Sequence, residues 1–257
     1  MNPNPDRIKP SSSSGVRTFL RICSGILILA VIVCSAHYLV FPQESRCMLI
    51  RSSGFRHTGR IYCRTNEPRS KTDSLLVHIK KAQDRVRSFW GNLESDPLFI
   101  YCSMPEDFSK YSEVQSVPAV THLKMGAYIV LNKDGDDTDI IAHEISHAEL
   151  YTRIGFFKWN FEVPAWFKHG LAMQNDYRNY YSTDSLPEKL KAFPGMLPVQ
   201  ACLSDGQFYS GPLPQVMLRY MLAKAEVGKW YTREKLLRLT DDLRSGMRFK
   251  VAYAQGD

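Results

Sequence analysis

The longest run of apolar positions lies near the N-terminus. Residues 22–41 read ICSGILILAVIVCSAHYLVF and carry no formal charge. As a helix rising about 1.5 Å per residue, this stretch matches the ~30 Å hydrocarbon core of a bilayer. A buried core helix and a cleaved signal peptide are the alternatives, but the run is apolar on every side and longer than a usual signal core. The pattern predicts an uncleaved transmembrane anchor over residues 19–41.

The segments that flank this run indicate its orientation. Residues 1–18 are rich in proline and serine and contain Arg7, Lys9 and Arg17, which predicts a disordered, basic cytoplasmic tail. Arginines also follow the span, beginning with Arg46, and they weaken the charge asymmetry. We expect a single-pass protein of the inner (cytoplasmic) membrane whose main domain is extracytoplasmic.

Residues 43–257 alternate between strand-like and helix-like patterns. Short strands are predicted at 47–52 and 59–65, around a turn of serine and glycine, and at 98–102 and 126–131. A period of 3.6 in the apolar positions and the capping residues predict helices at 69–90, 138–152, 163–175, 214–225 and 233–244. This order predicts an α+β domain with a small N-terminal sheet and C-terminal helices.

Composition narrows the class of protein. Apolar residues make up 44 % of 257 residues, enough for the core of one domain. The formal net charge is +7, and residues 1–42 contribute part of it through Arg7, Lys9, Arg17 and Arg21. The excess of positive charge in the remaining chain is too small to indicate a nucleic-acid partner.

Four cysteines lie beyond the apolar run, at Cys47, Cys63, Cys102 and Cys202. An even number is compatible with disulfides in an oxidising compartment. Cys47 and Cys63 flank the predicted hairpin and can pair across it. Four reduced, buried cysteines are the alternative.

The strongest chemical signal is the pentapeptide at residues 143–147, which reads H-E-I-S-H. On a helix, His143 and His147 lie one turn apart on nearly the same face, so both imidazoles can bind one metal ion. Glu144 is offset by one residue and can take a proton from a water molecule beside the metal. Two hydrogen-bonded core histidines would be the purely structural explanation.

A catalytic zinc site needs a third protein ligand and one open position. The metzincin pattern fails, because Leu150 and Arg153 stand where that family has a glycine and its third histidine. The informative segment is 163–172, which reads VPAWFKHGLA. A proline suited to a first helical turn opens it, and His169 lies within it.

With these two segments the chain resembles the gluzincin peptidases, in particular the small membrane- or envelope-associated peptidases of the MA-like group. Their H-E-x-x-H is followed by a helix reading P-x-W-L/F-x-E-G-L-A, in which the glutamate is the third zinc ligand. His169 stands at that position. The resemblance implies a zincin-like domain, one Zn²⁺ bound by His143, His147 and His169, and Glu144 as the catalytic base.

The chain departs from this family at two positions. Histidine replaces the ligand glutamate, which preserves a good zinc ligand but raises the charge at the metal by one unit. Met173 stands where many gluzincins carry an aspartate oriented toward a zinc histidine, a role that Asn175 or Asp176 can take instead. Glu162 is a spare carboxylate that ranks below His169 as a ligand.

Two further parts are expected of such a peptidase. Substrate backbone commonly pairs with an exposed strand edge before the metal helix, and the strand at 126–131 is suitably placed for this pairing. A donor is needed for the oxyanion of the tetrahedral intermediate. Similar sequences carry a tyrosine at the place of Tyr209, and His122 is another candidate.

These observations predict a membrane-anchored zinc peptidase acting on a peptide or protein substrate. The alternative is a non-catalytic envelope protein, a pseudopeptidase with a retained or degenerate metal site. A third hypothesis is an assembly factor whose arginines at 46–69 bind anionic lipid.

Overall fold

The computed structural model describes residues 13–255, which form a mixed α/β structure that is mostly helical, with a small N-terminal sheet. The strands are β1 (Arg56–Thr58), β2 (Ile61–Cys63), β3 (Leu98–Cys102), β4 (Ala119–His122) and β5 (Tyr128–Asn132). The helices are α1 (Ser13–Val40), α2 (Pro42–Met48), α3 (Arg69–Trp90), α4 (Pro105–Tyr111), α5 (Thr138–Phe161), α6 (Ala165–Ala172), α7 (Leu186–Lys191), α8 (Asp205–Phe208), α9 (Leu213–Trp230), α10 (Arg233–Arg244) and α11 (Phe249–Ala254).

Helix α1 contains the predicted apolar segment. Its part Thr18–Val40 is long and apolar enough to cross a membrane, and its apolar side chains are exposed. A spanning helix and a signal sequence share this pattern. Of the predicted disordered tail, residues 13–18 belong to α1, and residues 1–12 lie outside the described part of the chain.

The five strands form one sheet in the order β1-β2-β3-β5-β4. Strands β2, β3 and β5 are parallel, while β1 and β4 pair antiparallel at the two edges. The expectation that strand 126–131 forms an edge is therefore wrong. β5 lies inside the sheet because the short strand β4, which the sequence pattern did not reveal, folds back onto its outer side.

Helices cover both faces of the sheet. On one face α3 and α5 bury the main core, with Ile79, Val86, Ile129, Leu131 and Ile145 among its members. On the other face a smaller cluster joins α2 and α4 to Ile100 and Val130. Helices α6, α9, α10 and α11 extend the main core beyond α5.

The predicted strand at 47–52 is wrong, because this segment is the end of α2 and a single turn of 3₁₀-helix. All six cysteines are free thiols. Cys47 and Cys63 cannot pair, since Cys63 belongs to the main core and Cys47 to the cluster on the opposite face of the sheet. Cys47, Cys63, Cys102 and Cys202 are buried free thiols, as the alternative to disulfides expected.

Two of the predicted helices have the bounds that the sequence indicated. The period in 69–90 coincides with α3, which ends at Trp90. Gly91 follows it with a φ of 90°, a conformation that favours glycine. Helix α10 has its predicted bounds, and the Thr232 side chain caps it. Helix α9 runs from Leu213 to Trp230, beyond the predicted 214–225, and residues 177–206 form short turns and one short helix.

Candidate metal centre

Helix α5 places two of the candidate ligands. The Asp137 side chain accepts hydrogen bonds from the amides of Asp139 and Ile140 and so caps its N-terminus. Ile141 and Ile145 are buried in the main core. Their packing fixes α5, so that its opposite face, which carries the two histidines, is turned toward the site. His143 and His147 then lie one turn apart, with 3.1 Å between their Nε2 atoms.

Helix α6 brings the third histidine to the same place. Gly170 lets α6 approach α9 closely, because a Cβ on this residue would lie 2.5 Å from the carbonyl oxygen of Ala223. The ring centroids of His169 and His147 are 5.2 Å apart. One ligand atom from each of His143, His147 and His169 lies within 4.8 Å of the others. These three buried imidazoles, which we call the histidine cluster, can hold a metal ion.

The histidine cluster is uncharged and under-bonded. Burial lowers the pKa of His143 to about 3, and it also lowers the pKa of His147 and of His169. Neutral imidazole is the form that binds metals. Among the described residues, the buried Nδ1 atoms of all three have no hydrogen-bond partner. The Nε2 atoms of His143 and His147 face each other, so the space between the neutral imidazoles fits a divalent cation such as zinc.

A carboxylate stands beside His143, the first candidate ligand. Asp176 is fully buried, and its Oδ2 lies 3.8 Å from His143 Nδ1. Arg178 holds this carboxylate through bonds of 2.9 Å and 2.5 Å. Asn175 instead donates to the Ser146 hydroxyl. Of the two alternatives, Asp176 is the one that lies near His143, while the side chain of Met173 is buried and apolar.

A second carboxylate, Asp205, approaches the third ligand. Its Oδ1 lies 3.1 Å from His169 Nε2, and its Oδ2 lies 3.6 Å from the Lys168 ammonium. Asp205 was not among the residues predicted from the sequence. The signal was present, because Ser204 and Gln207 form a capping box that places Asp205 in the first turn of α8.

Glu144 points toward the edge of the sheet. Its Oε2 accepts a hydrogen bond of 2.5 Å from the hydroxyl of Thr121 in β4. Burial raises the pKa of Glu144 to about 7, although the Thr121 bond opposes this shift. The carboxylate thus sits between the histidine cluster, on its own helix, and the free edge strand.

Two tyrosine hydroxyls lie next to each other beside the histidine cluster. The Tyr209 and Tyr220 oxygens are 2.9 Å apart, and the rings lie 5.2 Å and 5.5 Å from His169. Burial raises the pKa of both, so both remain neutral hydrogen-bond donors. Tyr209 was a predicted candidate. Tyr220 was missed, although it belongs to the predicted helix 214–225.

Two weaker candidates lie elsewhere. Glu162 accepts hydrogen bonds from Lys158 and from the Phe249 amide, away from the histidine cluster. His122 is buried in β4 and lies 2.7 Å from the Tyr111 carbonyl oxygen, on the other side of the sheet. Neither joins the group that can hold a metal among the described residues.

The arginines at 46–69 are largely engaged within the domain. Arg46 bonds to the Lys110 carbonyl, Arg56 to the Glu67 carbonyl, Arg60 to Asp96 and Arg64 to Asp107. This pairing weakens the hypothesis of an arginine surface for anionic lipid.

Comparison of the chain with protein-family models, with curated proteins and with solved structures finds no match.

Proposed function

We propose that this protein is a membrane-anchored zinc peptidase with a zincin-like domain of the gluzincin type. The histidine cluster supports this proposal most directly, because three buried, neutral imidazoles from α5 and α6 lie within 4.8 Å of one another. The H-E-x-x-H spacing and Glu144 beside the cluster agree with it. The α1 helix would hold the domain to the inner membrane, with the domain on the extracytoplasmic side.

His143, His147 and His169 would hold the zinc ion. A bound zinc ion supplies a Lewis acid that polarises the scissile carbonyl and lowers the pKa of water. Asp176, whose Oδ2 lies 3.8 Å from His143 Nδ1, would orient the His143 ring, and Arg178 holds Asp176 through its hydrogen bonds. These two residues compensate for the missing aspartate at position 173.

Glu144 would act as the general base for the attacking water and would pass the proton to the leaving amine. The Thr121 hydroxyl holds one of its oxygens, which leaves the other oxygen for the water. The hydroxyls of Tyr209 and Tyr220 are the candidate donors to the oxyanion that forms from the substrate carbonyl.

The edge strand β4 is suited to binding an extended substrate. The amide of Asn132 donates to the carbonyl of Pro118, which sets the alternation of the antiparallel ladder. Ala119 and Thr121 then direct their backbone groups away from β5. A peptide that pairs with the free backbone groups of Ala119 and Thr121 would pass next to Glu144, because the Thr121 side chain bonds to the Glu144 carboxylate.

The test combines zinc content and peptide hydrolysis for the wild type and the Glu144→Gln variant. We expect both proteins to bind one zinc ion per chain, while the variant loses hydrolysis of a peptide library by about 10²–10⁴-fold. The Glu67→Gln variant, altered far from the cluster, is the matched control. Equal hydrolysis by the Glu144→Gln variant would show that the assigned mechanism is wrong.

Asp205 favours a second candidate function, a non-catalytic envelope protein with a closed metal site. Its carboxylate lies next to His169, and four protein ligands are typical of structural zinc sites. Under this alternative, Asp205→Ala lowers zinc affinity strongly and the wild type hydrolyses no peptide. Under the peptidase proposal, Asp205→Ala keeps its zinc and wild-type hydrolysis is measurable.

A further inference from the structure

The apolar helix α1 enters the domain without a flexible linker. Phe41 alone separates α1 from α2, and its amide and carbonyl both continue the helical hydrogen bonding, to His37 and from Ser45. His37 Nδ1 also lies 2.9 Å from the Ser45 hydroxyl. The end of α1 therefore fixes the position of the domain that follows.

Helix α2 attaches this junction to one end of the sheet. The buried Glu44 carboxylate accepts a hydrogen bond of 3.0 Å from the Met125 amide. The Lys124 ammonium lies 3.7 Å from Glu44 and 3.5 Å from the centre of the Phe41 ring. Residues 123–127 connect β4 to β5, so α1 ends where β4 ends and β5 begins.

The same end of the sheet carries an exposed aromatic patch. Helix α5 follows β5 and returns to this end, where Gly155 adopts a φ of 77° and redirects the chain. Phe156, Phe157 and Phe161 come next, with exposed fractions of 40 %, 75 % and 74 %. Their rings contact one another at centroid distances of 5.5–6.4 Å. We call these three side chains the phenylalanine patch.

Ring contacts along α5 connect the region of the patch to the histidine cluster. Burial, and to a smaller degree the negative charge of Glu44, raises the pKa of Tyr151. Tyr151 contacts Trp159, which lies on the same turns of α5 as the phenylalanine patch and packs against His147. His147 precedes Tyr151 by one helical turn, an axial distance of about 6 Å.

We propose that the phenylalanine patch lies in the headgroup region of the bilayer that α1 spans, so that the histidine cluster acts on polypeptide segments at the membrane surface. The second part rests on the proposed peptidase function. Lipid is the expected occupant because the patch lies at the end of the domain where the apolar helix leaves the membrane. Exposed aromatic side chains next to such a helix partition into the interface.

Local charge agrees with a lipid contact. Residues 155–157 and 159–161 carry no formal charge. The intervening Lys158 turns away from the patch, where it binds Glu162 and the carbonyl of Met247. The patch can therefore enter the headgroup region without burying an unpaired ammonium group.

The first experiment measures depth and needs no activity. The full chain is reconstituted into phosphatidylcholine–phosphatidylglycerol vesicles, with or without lipids brominated on the upper acyl chain. Variants Phe157→Trp and Phe161→Trp report from the patch. The matched control is Lys133→Trp, which places a tryptophan in the exposed turn after β5, at the opposite end of a strand about 17 Å long.

We expect the added tryptophan emission, relative to the wild type, to fall by about half in brominated vesicles for both patch variants, since interfacial side chains reach 5–10 Å into the boundary region. The Lys133→Trp emission should not change. Equal emission of the patch variants in both kinds of vesicle would overturn the proposal, and so would protection of the patch by a protein partner instead of lipid.

The second experiment concerns the substrate. A peptide that the wild type cleaves is presented free in solution, or beside the bilayer on a transmembrane helix. The Phe157→Ser/Phe161→Ser variant should cleave the free peptide normally and the tethered one about tenfold more slowly, because the effective concentration falls. An equal rate with the tethered peptide would contradict the inference about substrate. Absence of any hydrolysis by the wild type would contradict the proposed function while leaving the depth result intact.

Discussion

The two halves of α5 carry two buried polar clusters with opposite hydrogen-bonding states. The first half carries His143 and His147, which form the histidine cluster with His169 of α6, and the three buried Nδ1 atoms of this cluster have no hydrogen-bond partner among the described residues. In the second half, Glu149 accepts bonds from the amides of Glu94 and Ser95 and from Arg153, at 2.7–3.0 Å. Arg153 also donates to Asn92 and lies over the Trp90 ring.

The difference separates a cluster that stabilises the fold from one that is ready for a ligand. A buried charge is tolerated when hydrogen bonds and a counter-charge surround it, as they do at Glu149. In the histidine cluster no described residue places a counter-charge between the imidazoles of His143 and His147, whose Nε2 atoms lie 3.1 Å apart. This arrangement of neutral imidazoles can hold a metal ion.

The largest effect is expected from a substitution in the hydrogen-bonded cluster around Glu149. Arg153→Met leaves the Glu149 carboxylate buried without its counter-charge, so the free energy of unfolding should fall by about 3–5 kcal/mol. Urea denaturation measures this loss. The matched control, Arg238→Met on the exposed face of α10, should change stability by at most about 0.5 kcal/mol. A loss no larger than that of the control would show that the Glu149–Arg153 pair is dispensable.

The second prediction concerns the unsatisfied cluster. Zinc binding to the folded state should stabilise the wild type by about 2.7 kcal/mol at a free concentration one hundred times Kd. Thermal unfolding with and without zinc measures this effect. His169→Ala should lose most of it, whereas His57→Ala, which changes an exposed histidine of β1, should retain it. Equal stabilisation of the His169→Ala variant would remove His169 from the ligand set.

A smaller effect is expected beside the cluster. Asp176→Asn removes the negative charge next to His143, and loss of such an outer partner typically lowers metal affinity by about 10–100-fold. Zinc titration against a competing chelator measures the change. The control is Asp184→Asn, at an exposed aspartate on a neighbouring turn. Unchanged zinc affinity in the Asp176→Asn variant would contradict the proposal that Asp176 compensates for the absence of an aspartate at position 173.

The smallest effect is expected at an ion pair away from both clusters. The hydrogen bond from Arg64 lowers the pKa of Asp107 below its usual 3.8. A lowered pKa in the folded state gives stability that is present above pH 3.8 and disappears as the pH falls through the lowered value. Asp107→Asn should therefore unfold at a lower temperature than the wild type at pH 7, with a difference that shrinks below pH 3.8.

Calorimetry across this pH range checks the prediction. Asp73→Asn, at an exposed position of α3, is the control and should follow the wild type at every pH. A difference between the Asp107→Asn variant and the wild type that stayed constant down to the lowest pH would contradict the role of the ion pair.

Local patterns in the sequence predicted the longer helices and two of the candidate ligands, whereas the short helices α2, α4, α7, α8 and α11 were not predicted. The 3.6 period in 69–90, the cap before α5 and the spacing of His143 and His147 all act within one or two helical turns. Such features depend on residues close in the chain, so the sequence contains the information directly. The apolar run that became α1 belongs to the same class.

Tertiary structure decided what depends on distant residues. Strand β4 became the sheet edge only by pairing with β5, and the role predicted for 126–131 failed for that reason. Asp205 and Thr121 reach the site across 36 and 23 residues of chain. Cys47 and Cys63 are separated by the sheet itself. A one-dimensional pattern determines which side chains share a helix face, but partners far apart in the chain meet only after the sheet and helices have packed.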